Sequence, residues 1–353
     1  MRRGLSVVVV ERDEHPRGAS VRNFGHCYVS AQAGRALELA LESRTRWLEL
    51  AREAGFWILE SGTVLALRGP EELAVALEFA DARPELARVL RAEQALARAP
   101  LATAGLLGGL WTPLDLRVDP RRALPALIEW LQARGVEFHW RTTALGAETG
   151  VLLTSRGELR GEAIVIAVGH DLDRVLPDQA EDVGMRRCSL QMARVASPNG
   201  QTIGPALATG LALLRYRGFE DCPSRPVLRA QLERARPELL HADVNLIVTQ
   251  LPDGDLVIGD THRYAVAPSP FRDEKLDRLL LEEAAALLAS GPLEVRERWQ
   301  GVYAHAPGRE LLIGSPAPGV RAVTVTTGIG MTIGLGLAKA VLSELVDQRY
   351  ATL

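Results

Sequence analysis

Glu11 closes the run Val7 to Val10, and a carboxylate at the end of a β-branched strand can accept hydrogen bonds from both hydroxyls of a ribose. The run itself suits a strand covered on both faces, as in a parallel sheet. The glycine-bearing stretch that follows, up to His26, reads as an anion-facing turn, so the pair suggests a dinucleotide site. An ordinary solvated Glu-Arg-Asp turn after a buried strand fits Glu11 taken alone. A second such place lies near the other end: the strand Ala322 to Val325, the tight turn Thr327-Gly328-Ile329-Gly330, and a helix from Met331 through Leu345. Unpaired N–H groups at the start of a helix stabilise negative charge. A third strand end, GEAIVIAVGHD at 161–171, lets a ligand approach Ala167 and Gly169 without a side chain in the way. A plain glycine turn explains that segment equally well.

The elements that must position these groups follow from periodicity. Residues 33–55 carry apolar positions at three- and four-residue spacing, predicting an amphipathic helix that ends at Gly55. A hairpin-like pair is expected from Phe56 to Leu67 about Ser61-Gly62, then two helices within 70–98 that begin at Pro70 and near Pro84. Strand and loop over 105–118 precede a helix from Asp119-Pro120 through Arg134 and a strand at 136–140. Arg174 to Asp182 is a polar linker. From Met185 to about Val295 short alternating strands carry inserted helices at 223–240 and 272–290, the pattern of an antiparallel sheet with helical cover.

Composition narrows the function classes. A chain of 353 residues with 47% hydrophobic content buries a sizeable core and divides into two interleaved domains. Its formal charge of −3 gives no electrostatic reason to expect nucleic acid, and no apolar run is long enough to span a bilayer. Cys27, Cys188 and Cys222 lack metal-ligand spacing and cannot all pair, so no metal is expected and a reducing cytoplasm is the simple reading. No nucleophile with its base forms a convincing triad.

The stretch GASVRNFGH at 18–26 resembles the signature of FAD-dependent amine oxidoreductases of the D-amino-acid oxidase and glycine oxidase superfamily, closest to the branch encoded beside phosphonate-degrading enzymes. The resemblance returns at RRCSLQMARVA (186–196), GPALATGLALLRYRGFEDCPS (204–224), GDTHRYAVAPSPF (259–271), RERWQGVYAHAP (296–307) and TTGIGMTIGLGLA (326–338). It implies an α/β fold: an FAD-binding Rossmann-like domain of the glutathione-reductase type over 1–55, 112–180 and 305–353, interleaved with an antiparallel-sheet α+β substrate domain over 56–111 and 181–304. It implies FAD held by Glu11, Arg12, Ser20, Asn23, Phe24, Gly25, Ala167, Gly169, Gly328, Gly330, Met331 and Thr332, with the C-terminal turn against the pyrimidine side of the isoalloxazine. The implied reaction is oxidative deamination or demethylation of a small anionic amine, an aminophosphonate first and a glycine-, sarcosine- or D-amino-acid-like compound second. Molecular oxygen or a quinone accepts the electrons.

Such chemistry asks for an anion clamp, and arginine matches phosphonate or carboxylate oxygens. Candidates on the resembling segments are Arg22, Arg194, Arg263 and Arg298, each of which also reads as an ordinary surface ion pair. Gln300 and Tyr264 join them at the substrate, His26, His262 and Tyr303 are expected at the reacting centre, and His305 adds a wall. A core histidine with a backbone partner is the alternative for His262.

One part of the pattern is missing. The resembled proteins open with a strand and a G-x-G-x-x-G turn, whereas this sequence starts at Met1-Arg2-Arg3-Gly4, which resembles the last turn of the helix that follows that fingerprint. The favoured expectation is a start assigned too far downstream. The other is an N-terminally truncated, non-catalytic flavoprotein remnant that binds a ligand or partner in the old substrate cavity.

Overall fold

A computed structural model describes residues 4–350, with the backbone alone for 346–350; Met1–Arg3, and with them most of the expected helix turn, lie outside the described residues. The parallel strands come in two pieces. Val8–Val10 pairs in parallel with Glu137–His139, and Ile164–Ile166 pairs in parallel with Val320–Val325, which takes Leu311–Gly314 antiparallel on its far side. The two pieces meet at their carboxyl ends, where the Arg12 guanidinium, just past the first strand, bonds the Asp171 carboxylate, just past the third. The Val7–Val10 run is not covered on both faces as its composition suggests. Val7 and Val8 are 37% and 48% exposed, because among the described residues this strand has a partner on one side only.

Strands from 63–112 and from 186–305 build one nine-stranded sheet. Its long central pair is Arg186–Val195 against Val295–His305, antiparallel, and the one parallel contact joins Ala206–Ala208 to Thr63–Leu67. The largest apolar cluster lies against this sheet, with Val64, Leu65, Leu110, Leu207, Leu213 and Phe219 fully buried.

Three local expectations need correction. Ile58–Leu59 and Thr63–Leu67 are not hairpin partners: the first pairs with Leu116–Val118 and the second with Gly108–Thr112. The expected helix near Pro84 is reduced to the short helix Ala92–Leu96 behind the strand Arg88–Arg91, whose pairing with Gly108–Thr112 overrides a helix-favouring composition. The 223–240 helix is broken into Arg225–Ala235 and Pro237–His241, because Pro237 has no N–H to continue the first.

Two helices brace the ends of the chain against each other. Gly34–Ala54 buries Leu39, Ala40, Ser43, Trp47 and Ala51 along one stripe and stops at Gly55, whose φ of 74° closes it. Against that stripe lies the helix Gly330–Tyr350. At Gly336 a Cβ would stand 2.3 Å from the Leu39 carbonyl oxygen, so only glycine permits this crossing. The Gly336 N–H donates to Ser43 Oγ at 2.8 Å. No helix among the described residues is long and apolar enough to cross a membrane.

Candidate active site

The start of the Gly330–Tyr350 helix is fixed by the segment around His26–Cys27. Tyr28 N–H donates to Thr332 Oγ1 at 3.1 Å, Cys27 Sγ lies 3.4 Å from the Met331 carbonyl oxygen, and Trp47 Nε1 donates to that same carbonyl at 2.9 Å. Gly328 and Gly330 are exposed on this turn, and the first helical turn holds no acidic side chain, so its N–H groups keep their positive end uncompensated. Gly328 has φ 77°, and a Cβ there would come within 2.9 Å of the Tyr303 ring. The glycine brings the tyrosine against the turn.

Tyr303 belongs to a cluster with Tyr264, His262 and His305, all expected from the sequence, and with Arg215, Asp243 and Asp260, which the sequence did not single out. Tyr264 and Tyr303 both stand opposite Cys188 across the central strand, one on each side, so the register puts both rings on one face of the sheet. Between their hydroxyls lies Arg215, at the end of the short helix Leu211–Arg215: Nη1 donates to Tyr264 at 3.0 Å and Nη2 to Tyr303 at 2.9 Å. Asp243 accepts from Arg215 Nη1 at 3.0 Å and from the Tyr264 hydroxyl at 3.1 Å. Burial works against the charge of Arg215, but the two phenols and Asp243 outweigh it and hold its pKa well above the ordinary value. Beneath lie His262, whose Nδ1 donates to the Asp243 carbonyl at 2.7 Å, and Asp260, 3.6 Å from His262 Nε2. Burial, opposed by Arg215 and aided by Asp243, pushes the Asp260 carboxyl up to about 8. His305 packs against Tyr264 with ring centroids 4.4 Å apart and the planes tilted by 48°. The signal for Arg215 was available: it is the charged end of the buried run Leu211–Leu214 inside a resembling segment.

The expected clamp residues lie elsewhere. Arg194 is engaged by Asp253, Asp255 and Glu297 at 2.9, 2.7 and 3.2 Å, Arg298 by Asp277 at 2.9 Å, and Arg263 by Asp273 at 3.1 Å. Gln300 Nε2 donates to the Ser269 carbonyl at 3.3 Å. His26 is buried, its Nε2 bonded to Thr63 Oγ1 at 2.8 Å, and Thr63 donates on to Asp115 at 2.7 Å. That order makes His26 the Nε2–H donor, and burial, with Arg117 nearby, drops its pKa to about 3. Asp115 is fully buried, yet donors at Ser30 N, Thr63 and Thr112 restrain its pKa to about 6.

The expected cofactor residues fall in three places. Met331, Thr332, Gly328 and Gly330 form the helix tip. Glu11 and Arg12 end the first strand and Ala167 and Gly169 follow the third, so all four fall at the carboxyl ends of parallel strands. Beside them opens a cleft of about 660 Å³ lined by Arg12, Arg17, Arg22, Arg174 and Arg187. Arg12, Arg174 and Arg187 converge on Asp171, while Arg17 and Arg22 make no ion pair among the described residues. Ser20 and Asn23 shape the turn itself: Asn23 Nδ2 donates to the carbonyls of Ala19 and Ser20, and its Oδ1 accepts from Gly25 N–H at 2.7 Å. Gly25, φ 68°, is required by packing, since a Cβ would lie 1.7 Å from the Val118 carbonyl oxygen. The Phe24 carbonyl accepts from Thr249 Oγ1 at 2.9 Å.

The sequence matches the family model of FAD dependent oxidoreductases over residues 1–344. The chain belongs to that family. Its cofactor is FAD. No curated protein matches the chain. Among solved structures it is similar to glycine oxidase from Bacillus cereus, with a TM-score of 0.78 at 18% identity over 98% of this chain and 90% of that one. It is also similar to glycine oxidase from Geobacillus kaustophilus, TM-score 0.75 at 19% identity over 98% and 89%, and to iminodiacetate oxidase from Chelativorans sp. BNC1, TM-score 0.72 at 16% over 98% and 90%. The residues of this FAD dependent oxidoreductase fit its cofactor: unpaired guanidiniums suit a diphosphate, and an acid-free helix tip flanked by glycines suits a flat ring that gains negative charge.

Proposed function

We propose that the protein oxidises a small amine bearing an anionic group, an aminophosphonate first, by oxidative deamination or demethylation. The observation that carries this reading is Arg215, held between two tyrosyl hydroxyls at 2.9 and 3.0 Å beside the exposed Gly328 turn. A guanidinium fork takes two oxygens of the anion and a phenol can take the third, which a phosphonate has and a carboxylate lacks. Bound FAD supplies the acceptor for the hydride that leaves the amine carbon. Arg215, Tyr264 and Tyr303 bind the anion and thereby set that carbon's distance from the helix tip, which is the larger part of what the protein must do. Molecular oxygen or a quinone takes the electrons onward.

In this reading 1–55, 112–180 and 305–353 form the FAD domain and 56–111 with 181–304 the substrate domain. Glu11, Arg12, Arg17 and Arg22 hold the adenosine diphosphate end, and the 328–332 tip holds the ring. Three free, buried cysteines support a reducing cytoplasm. The reading also includes a further parallel strand, carrying the glycine fingerprint, between the Val8–Val10 and Ile164–Ile166 edges. Support comes from those edges: each strand has one partner among the described residues, and Val8 and Val165 are 48% and 40% exposed. An in-frame G-x-G-x-x-G upstream of the Met1 codon tests that part.

The substrate is tested by flavin bleaching without oxygen, comparing 2-aminoethylphosphonate and its hydroxylated and N-methylated relatives with glycine and D-alanine. Phosphonates should bleach the flavin faster. Equal bleaching by the carboxylates overturns the preference, and a colourless protein that takes up no FAD overturns the enzyme.

A further inference from the structure

We propose that Asp243 holds the ammonium nitrogen of the substrate and that His262 is the positioning residue that aims it. The inference rests on the anionic-amine reading above and adds the residue that reads the other charge.

Asp243 is one of four non-glycine residues among those described with positive φ, at 45°, a conformation that few side chains adopt and that Asp tolerates. It is pinned there from both sides. Its N–H donates to the Leu240 carbonyl at 3.0 Å, its carbonyl accepts from His262 Nδ1 at 2.7 Å, and the His262 N–H donates to the adjacent Ala242 carbonyl at 3.3 Å. His262 is only 6% exposed, so the ring that fixes the Asp243 backbone is itself fixed. That backbone conformation closes the helix Pro237–His241, with the Val244 N–H on the Leu239 carbonyl at 2.9 Å, so the Asp243 side chain leaves the helix end in a fixed direction.

The placement is specific. Asp243 Oδ2 is shared by Arg215 and Tyr264, while the side chain stays 43% exposed. One wall thus offers a cation and an anion side by side, at the distance of a direct contact. A ligand with opposite charges two or three bonds apart meets both at once, the anion on Arg215 and the ammonium on Asp243. A ligand with the anion alone meets Asp243 as a repulsion. Asp243 therefore selects for amines among anions of the same shape, which an arginine clamp alone cannot do.

The test uses the full chain loaded with FAD and reduced beforehand with dithionite under nitrogen, so that the amine binds without being oxidised, and calorimetric titration with two probes: 2-aminoethylphosphonate and 2-hydroxyethylphosphonate, which keeps the anion and replaces nitrogen with oxygen. The wild type should bind the amine at least about tenfold more tightly. Asp243→Asn should weaken the amine about tenfold while leaving the hydroxy compound unchanged or tighter, since a negative charge beside Arg215 is gone. Loss of affinity for both probes would mean that Asp243 only holds the wall together, and would overturn the proposal. Equal affinity of the wild type for the two probes, or no binding of either, would overturn it too. His262→Gln, whose amide can still donate to the Asp243 carbonyl, should retain the preference, and His262→Leu should lose it. A preference that survives in His262→Leu removes His262 from the argument. Opposite shifts in a protein that oxidises no amine would leave Asp243 standing and remove the oxidative reading. Oxidation without those shifts would do the reverse.

Discussion

Tyr28 and Thr332 stand 304 positions apart and meet at 3.1 Å, main-chain N–H to hydroxyl, inside the protein. This bond joins the residue just past the strand His26–Cys27, which follows the N-terminal glycine turn, to the first turn of the C-terminal helix, so the two glycine-bearing places near the chain ends form one unit. Thr332→Val removes the acceptor at nearly constant shape and leaves the Tyr28 N–H buried and unpaired, a loss of about 1–3 kcal/mol. Urea unfolding should show that loss, and Thr332→Ser should recover most of it. An unchanged midpoint in the valine variant would mean that the N–H finds another acceptor.

Arg215 and Arg194 should separate cleanly in kinetics. Arg215→Met should raise KM for an anionic amine on the order of 10- to 100-fold, the weight of a lost charge-assisted hydrogen bond. Arg194→Met, which releases three surface carboxylates, should leave KM within about twofold. The reverse order would relocate the anion site.

Two guanidiniums of the strand-end cleft, Arg17 and Arg22, should act on the cofactor and not on the substrate. Either arginine replaced by methionine should weaken FAD binding about tenfold, more so as salt falls. Fluorescence titration with FAD reads the change directly. Wild-type affinity in both variants would place the diphosphate outside the cleft.

Asp260 should give the stability curve a slope of unusual sign. Its folded pKa near 8 lies above the ordinary 3.8, so between about pH 4 and 8 the folded protein keeps a proton that the unfolded chain has released. Stability then falls as pH rises through that window and levels off above it. Asp260→Asn cannot titrate. The wild type should lose ground to it by up to about 1.4 kcal/mol per pH unit from 5 to 8. Urea midpoints of the two proteins at each pH provide the difference, in which the opposing effect of neutral, buried His26 cancels.

Periodicity and glycine placement were enough to mark the helix over 33–55, the strand ends at Glu11 and Gly169, and the turn at Gly328, because each is a local pattern. Resemblance located the segments that carry Arg215, Tyr264 and Tyr303. It did not rank the arginines on them, since a guanidinium in a surface ion pair and one in a binding wall look alike in sequence. What distinguishes Arg215 from Arg194 is tertiary: two tyrosines brought to one face by the register at Cys188, against three carboxylates on neighbouring strands and loops. Asp243 was invisible for the same reason, its role being set by a histidine 19 positions away. The stretch 88–91, inside the Ala-, Leu-, Arg- and Glu-rich run 70–98, failed differently, because edge pairing outweighed the helical preference of that run.

Gly336 acts as a fulcrum for the tip of the C-terminal helix. The C-terminal helix rests there almost backbone to backbone on Leu39, about 9 Å along its axis from the Gly330 tip. A single added methyl would be more than an ångström too close to the Leu39 carbonyl, and the helix would have to tilt about that point, carrying its tip out of register with Tyr303. A substitution that touches neither ligand would then look, in every kinetic assay, like a lesion of the pocket.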